Sequence, residues 1–271
     1  MNQTQRRALT SMAVFVLASS FITTVWAESN SASVIGVSLG MPLIDAQQAA
    51  QENVPEMRFT EMNLDVGALW KSRIKGINYI GGFSAYTDYR SEAGNSKMMV
   101  MGHAPPNESQ VSAIGRTSLL DEMSLTDFRS ALIEKYGQPH FETKPGELRS
   151  IGGSLISWSL TKDGKPQTDV NTILACSRHG NKYAQDVVAF VNGLTFPEEQ
   201  FYGQYKSCGF TLVVYAQQGQ LPELVRSYNI ILYNLNDIQK ANAATLAMAE
   251  REAEKLDAQK IEDAKGKKPV L

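Results

Sequence analysis

Two hydrophobic periods alternate along the chain. The helical one appears first in "MPLIDAQQAAQEN", Met41 to Asn53, where Leu43, Ala46, Ala49 and Ala50 recur at steps of three and four. It returns in "MSLTDFRSALIEKY", where Leu125, Phe128, Ala131, Leu132 and Tyr136 form a bulkier stripe. That spacing places each set on one helix face. Pro42 suits a first helical turn, where its missing N–H has no partner to lose, and Pro55 ends the first helix. Ser124, with Asp127 three residues on, is a short-armed capping box. Gly137 stands where a left-handed C′ residue belongs, and Pro139 blocks continuation, so the second helix is predicted from about Leu125 to Tyr136. The two stretches carry Met, Leu, Asp, Ala and Glu at corresponding places, which reads as an internal repeat.

After each helix the period falls to two. "EMRFTEM", "GGFSAYTDYR", "SKMMVMGH" and "QVSAIGRTS" follow the first. "LISWSL", "NTILACSR", "DVVAFVNGL", "CGFTLVVYAQQ" and "LVRSYNIILYNL" follow the second. β-Branched and aromatic residues alternate in many of them, with turns such as Asp163-Gly164 between, so they are predicted strands. In "GFTLVVYA", Phe210, Leu212 and Val214 point one way and Thr211, Val213 and Tyr215 the other. Neither face is polar, which predicts a central strand covered on both sides. The Gly pairs in "YIGGFSAY" and "SIGGSLISW" mark turns or bulges. From Asn236 to Lys265 the chain is rich in Ala, Glu, Lys and Gln, and Leu246, Ala249, Ala253 and Leu256 trace a thin seam. That predicts a long solvated helix. The fold class is therefore α+β: two tandem modules of a helix packed on antiparallel sheet, plus a long C-terminal helix. The expected divisions are a leader at 1–27, modules at 28–120 and 121–235, and an exposed helix and tail at 236–271.

The leader changes the picture of where this fold works. Arg6 and Arg7 precede an apolar run from Met12 to Ala18, and Val25 and Ala27 stand where a signal peptidase reads. A spanning helix needs about 20 mostly apolar residues, and Ser19, Ser20, Thr23 and Thr24 interrupt this stretch. A cleaved signal and a periplasmic or secreted protein are expected, with no membrane span after cleavage. The chain has 26 basic and 28 acidic residues, and loss of Arg6 and Arg7 tilts it further to the acidic side. That balance argues against a dedicated nucleic-acid binder, which needs a basic stripe to neutralise phosphates. In an exported chain the two cysteines, Cys176 and Cys208, are expected to form one disulfide.

Candidate chemistry is sparse. The three histidines, His103, His140 and His179, share no metal-ligand spacing with one another or with the cysteines, so no metal and no cofactor is expected. "CSRHGN" places Cys176 beside His179 at a predicted strand end, but a cysteine tied in a disulfide is not a nucleophile. No nucleophile elbow, phosphate loop or dinucleotide fingerprint occurs. Aromatic residues offer more. Phe201, Tyr202 and Tyr205 cluster in "FPEEQFYGQYKS" inside the expected disulfide loop, and predicted strands add Tyr86 and Trp158. Tyr and Trp on a sheet face or a tethered loop are common anchors for a protein partner, and packing in the core is the competing explanation.

"LGMPLIDAQQAAQE" and "EMSLTDFRSALIEKYGQP" resemble the helix module of the SmpA/OmlA outer-membrane assembly lipoproteins and of the β-lactamase inhibitor protein. The resemblance implies helices packed on antiparallel sheet, in tandem in the inhibitor, which binds its target protein with an exposed sheet surface. The chain departs from both families: it has no lipobox cysteine and carries two cysteines rather than a disulfide in each module. The function expected is non-enzymatic, a binding or inhibitory module that recognises another envelope or secreted protein. The alternative is a small hydrolase or ligand-binding protein with its site between the modules.

Overall fold

A computed structural model describes residues 32–67, 76–88, 95–107, 109–145, 147, 153–177 and 207–265. Within them the chain runs through a hairpin of β1 (Ser33–Val34) and β2 (Val37–Ser38), then α1 (Leu43–Asn53) and four strands: β3 (Arg58–Asp65), β4 (Asn78–Tyr86), β5 (Ser96–Gly102) and β6 (Val111–Ser124). Next come α2 (Leu125–Tyr136), β7 (Phe141–Glu142), β8 (Gly153–Ser157), α3 (Val170–Cys176), β9 (Phe210–Gln218), β10 (Leu224–Asn234) and α4 (Leu235–Ala264). The fold is α+β, with one large antiparallel sheet and a long C-terminal helix.

The sheet has eight strands in the order β3-β4-β5-β6-β10-β9-β8-β7. β3 to β6 run outside to inside, β7 to β10 do the same from the other edge, and the two inner strands pair along Leu224–Tyr233 against Ala113–Ser124. The sheet is thus continuous through Val111–Ser124, with no break where the chain passes from one half to the other. Alternation sorts the side chains: Met98, Val100, Leu212 and Val214 fill a core on one face, and Met99, Met101, Val213 and Tyr215 fill a core on the opposite one. β9 lies between β10 and β8, the central position predicted for it, and is buried from Phe210 to Ala216.

Helices cover both faces. Leu43, Ala46 and Ala50 of α1 and Phe128 and Leu132 of α2 join the first core. Ile173 and Cys176 of α3 and Leu235 and Ile238 of α4 join the second. α2 spans the predicted residues because its ends are marked: Ser124 Oγ accepts from Asp127 N at 3.0 Å, and Gly137 closes the helix at φ 77°. The C-terminal helix departs from its predicted seam. Ile238, Ala241, Thr245 and Ala249 face inward, while Leu246 and Leu256 are exposed. Ala249 packs with Val66, Tyr79 and Ala104, so α4 crosses the second face towards β3 and β4 before its last turns extend into solvent. Small side chains on its inner face permit that close approach.

Two sequence expectations meet different fates in the sheet. The described part of "NTILACSR" is helical at residues 171–176 rather than extended, so Cys176 ends a helix and not a strand. Asp169 caps this helix, accepting from Thr172 N at 2.8 Å, and burial of Ile173 with the disulfide outweighs the β preference of its branched residues. The Gly pair of β4 does mark a bulge: the β3–β4 register shifts between Met62 and Asn63, and Gly82 sits at φ 147°. A Cβ on Gly82 would lie 2.1 Å from Val100 O. Gly82→Ala is expected to destabilise the protein by about 2–4 kcal/mol, read as a lower urea midpoint at unchanged slope.

Candidate functional site

Beside α2 the first core is open. The α2 stripe predicted to lie on the sheet is buried at Phe128 and Leu132 but only partly at Leu125 and Tyr136, and Ala131 is exposed. The unfilled space is a groove of about 270 Å³. Tyr228 and Ile230 of β10 and Arg116 of β6 form its floor, α2 forms one wall, and Val34 and Ile35 of the N-terminal hairpin close one side. Phe128 rests on Tyr228 with ring centroids 5.4 Å apart, and the Tyr136 hydroxyl ties α2 to the hairpin by donating to Ser33 O at 2.8 Å. Burial pushes the Tyr136 phenol well above its usual range, so it remains a protonated donor.

The remaining lining comes from an irregularity that no sequence pattern announced. β6 pairs Leu119 with Ser227 and Met123 with Val225, so three residues of β6 stand opposite one of β10. This bulge resets the alternation and lets Leu120 and Met123 both line the groove. Ile35 is held at φ 46° in the two-residue turn between β1 and β2, followed by Gly36 at φ 83°. Positive φ at both positions is what a tight hairpin turn requires, but a β-branched residue pays about 1–2 kcal/mol to adopt it. The strained residue is one that borders the groove.

Two cations frame this apolar surface. The Arg116 guanidinium lies 5.7 Å from the Tyr228 ring centroid, and the Lys135 ammonium 5.3 Å from that of Tyr136. Arg116 Nε donates to Ser96 Oγ at 3.0 Å. Burial, and then the charge of Arg116, lowers the Lys135 pKa. Among the described residues neither cation has a carboxylate within ion-pair distance.

The residues singled out from sequence are not gathered at this groove. Trp158 is 2 % exposed and belongs to the first core, where it backs the groove wall: its ring packs on Tyr136 at 5.3 Å, and Nε1 donates to Gly137 O at 2.9 Å. Tyr86 is 42 % exposed at the end of β4, paired with Arg58 on β3 and Lys97 on β5. Phe201, Tyr202, Tyr205 and His179 lie outside the described residues. Cys176 and Cys208 form the expected disulfide, with Cα atoms 5.8 Å apart and both cysteines buried. Sequence reasoning missed Arg116, Leu120, Lys135 and Tyr228. The signal available for Lys135 was its place one residue before the last of the α2 stripe; the others needed the strand pairing.

Elsewhere, polar groups serve the scaffold. His140 Nδ1 is 2.9 Å from Ser159 O, and Tyr233 donates to Cys176 O at 2.5 Å. Among the described residues no group of three or more His, Cys, Asp or Glu could hold a metal ion. His103, half-buried near Asp237, has its pKa lowered by desolvation, which that carboxylate opposes. The folded protein thus resists a proton that the unfolded chain accepts, with an imidazole pKa near 6.5. This contribution to stability is fully present above about pH 6.5 and is lost as the pH falls through the lowered folded value. His103→Gln is expected to flatten the fall in urea midpoint between pH 7 and pH 5.

Comparison with protein-family models, with curated proteins and with solved structures yields no match.

Proposed function

We propose that this chain is an exported, non-enzymatic binding module that recognises another protein of the cell envelope, and that the groove beside α2 is its recognition site. The observation that carries this reading is the form of the groove. Sites that engulf a small molecule commonly enclose about 300–1,000 Å³. This one is smaller and open along its length, dimensions suited to one or two anchoring side chains of a partner. Exposed apolar residues continue the surface at the same end of the sheet: Met123 borders the groove, and Leu221 lies in the turn between β9 and β10.

The finer architecture belongs to this reading. We take α1 with β3–β6 and α2 with β7–β10 as two copies of one module, and the meeting of β6 with β10 as their junction. The matching residues at Met41 and Met123, the helices on a common sheet face and the mirrored strand order support it. Export rests on the sequence of residues 1–27.

The test is capture from envelope extracts by the immobilised protein, comparing a groove variant with a distant one. Leu120→Asp is expected to lose the captured partner, and Tyr86→Ala at the far end of β4 to retain it. Equal recovery of every captured protein by Leu120→Asp and the unaltered protein, with both folded, refutes the groove as the recognition site.

A further inference from the structure

The groove holds two positive charges with no carboxylate in ion-pair distance among the described residues. Lys135 does sit favourably in the last turn of α2, near the negative end of its dipole. Arg116 has no such reason. It stands mid-strand on β6, opposite Ile230, with Met98 across from it on β5. Its only hydrogen bond among the described residues is from Nε to Ser96 Oγ. Both cations lie over aromatic rings, which orient them without neutralising them. Two like charges in one partly desolvated groove repel each other, and a bound anion would reverse that cost. The surface between them is apolar: Leu120, Phe128, Leu132 and Ile230.

We infer, resting on the binding reading above, that the groove accepts a short acidic segment of the partner protein. A bulky aliphatic or aromatic side chain of that segment enters between α2 and the sheet, and an adjacent carboxylate engages Arg116 and Lys135. The two parts of the site do different work. The apolar seat supplies burial, which an acidic segment lacking a large side chain cannot use. The cations supply selectivity, because a neutral segment of equal shape leaves them unpaired. Leu120 shares the face of Arg116 by ordinary alternation, and the bulge of β6 adds Met123 to it.

The experiment titrates the purified protein with three synthetic peptides, followed by amide chemical shifts. The first is acetyl-Gly-Glu-Leu-Phe-Glu-Gly-amide. The second has Gln in place of both Glu residues, and the third has Ala in place of Leu and Phe. The acidic apolar peptide is expected to shift resonances of α2, β6 and β10 and to bind at least tenfold more tightly than either control. Arg116→Gln with Lys135→Gln should reduce its affinity to that of the Gln peptide, and Arg116→Lys with Lys135→Arg should restore it. If the Gln peptide binds the unaltered protein as tightly as the acidic one, the charge inference is overturned while the groove reading stands. Equal binding of the Ala peptide overturns the apolar seat. Failure of all three peptides to shift groove resonances overturns the inference, while the groove reading stands or falls on capture by Leu120→Asp.

Discussion

Trp158→Ala is expected to lower the urea midpoint of the protein severely. Removing a fully buried indole costs about 3–5 kcal/mol in lost transfer energy and cavity. Here the loss goes further. The backbone bond from Trp158 N to Leu212 O survives the substitution, but the bond from Nε1 to the carbonyl of Gly137, the residue that ends α2, is lost. The side chain therefore pins the C-terminal end of α2 to the sheet, and the Tyr136 ring that lines the groove rests on it. Against a total stability of about 5–15 kcal/mol, the expected loss is a large fraction. Trp158→Phe should keep most of the packing and give up the part-buried hydrogen bond to Gly137 O, costing about 0.5–1.5 kcal/mol. Urea melts of both variants check this. A folded Trp158→Ala protein with an unchanged midpoint would remove Trp158 from the core role assigned to it.

The second large effect is expected from the disulfide. Cys176 and Cys208 are 32 residues apart in sequence, and closing a loop of that length restrains the unfolded chain by about 4 kcal/mol. The bond also fixes the end of α3 to the start of β9, beneath the first turn of α4. Cys176→Ala with Cys208→Ala should lower the melting temperature by roughly 8–15 °C, at about 2–4 °C per kcal/mol for a domain of this size. Reduction of the unaltered protein should lower it by a similar amount, and the reductant should leave the double variant unmoved. A melting temperature of the double variant within about 2 °C of the unaltered protein would show that the closed loop contributes little.

Trp158 and the disulfide show what the sequence could and could not reveal. The pairing of Cys176 with Cys208 was legible because a chain with two cysteines leaves one internal pairing. The helix from Leu125 to Tyr136 was legible because its cap, stripe and terminating Gly137 all agree. Trp158 was harder: an aromatic residue in an alternating stretch suits a core or an interface equally, and only pairing with β9 and contact with Tyr136 decide. The stretch at Val170–Cys176 was misread because its branched residues favour strands locally, whereas a cap at Asp169 and burial of Ile173 are set by neighbours far along the chain. The α4 seam was legible at Ala249 and Ala253, which pack by Val66 and Tyr79, but not at Leu246 and Leu256, which are exposed because the close approach favours alanine. The groove was invisible to pattern reading because its floor joins residues more than a hundred positions apart, Arg116 and Tyr228, and because the β6 bulge breaks the alternation on which such reading depends.

The pairing of β6 with β10 has a bearing on how this chain can be divided. Each is an inner strand, so a fragment cut between α2 and β7 would bare a long ladder of amide and carbonyl groups meant for the missing half. Exposed ladders of that kind recruit other strands. Either half made alone would consequently seek a substitute, in another copy of itself or in an aggregate.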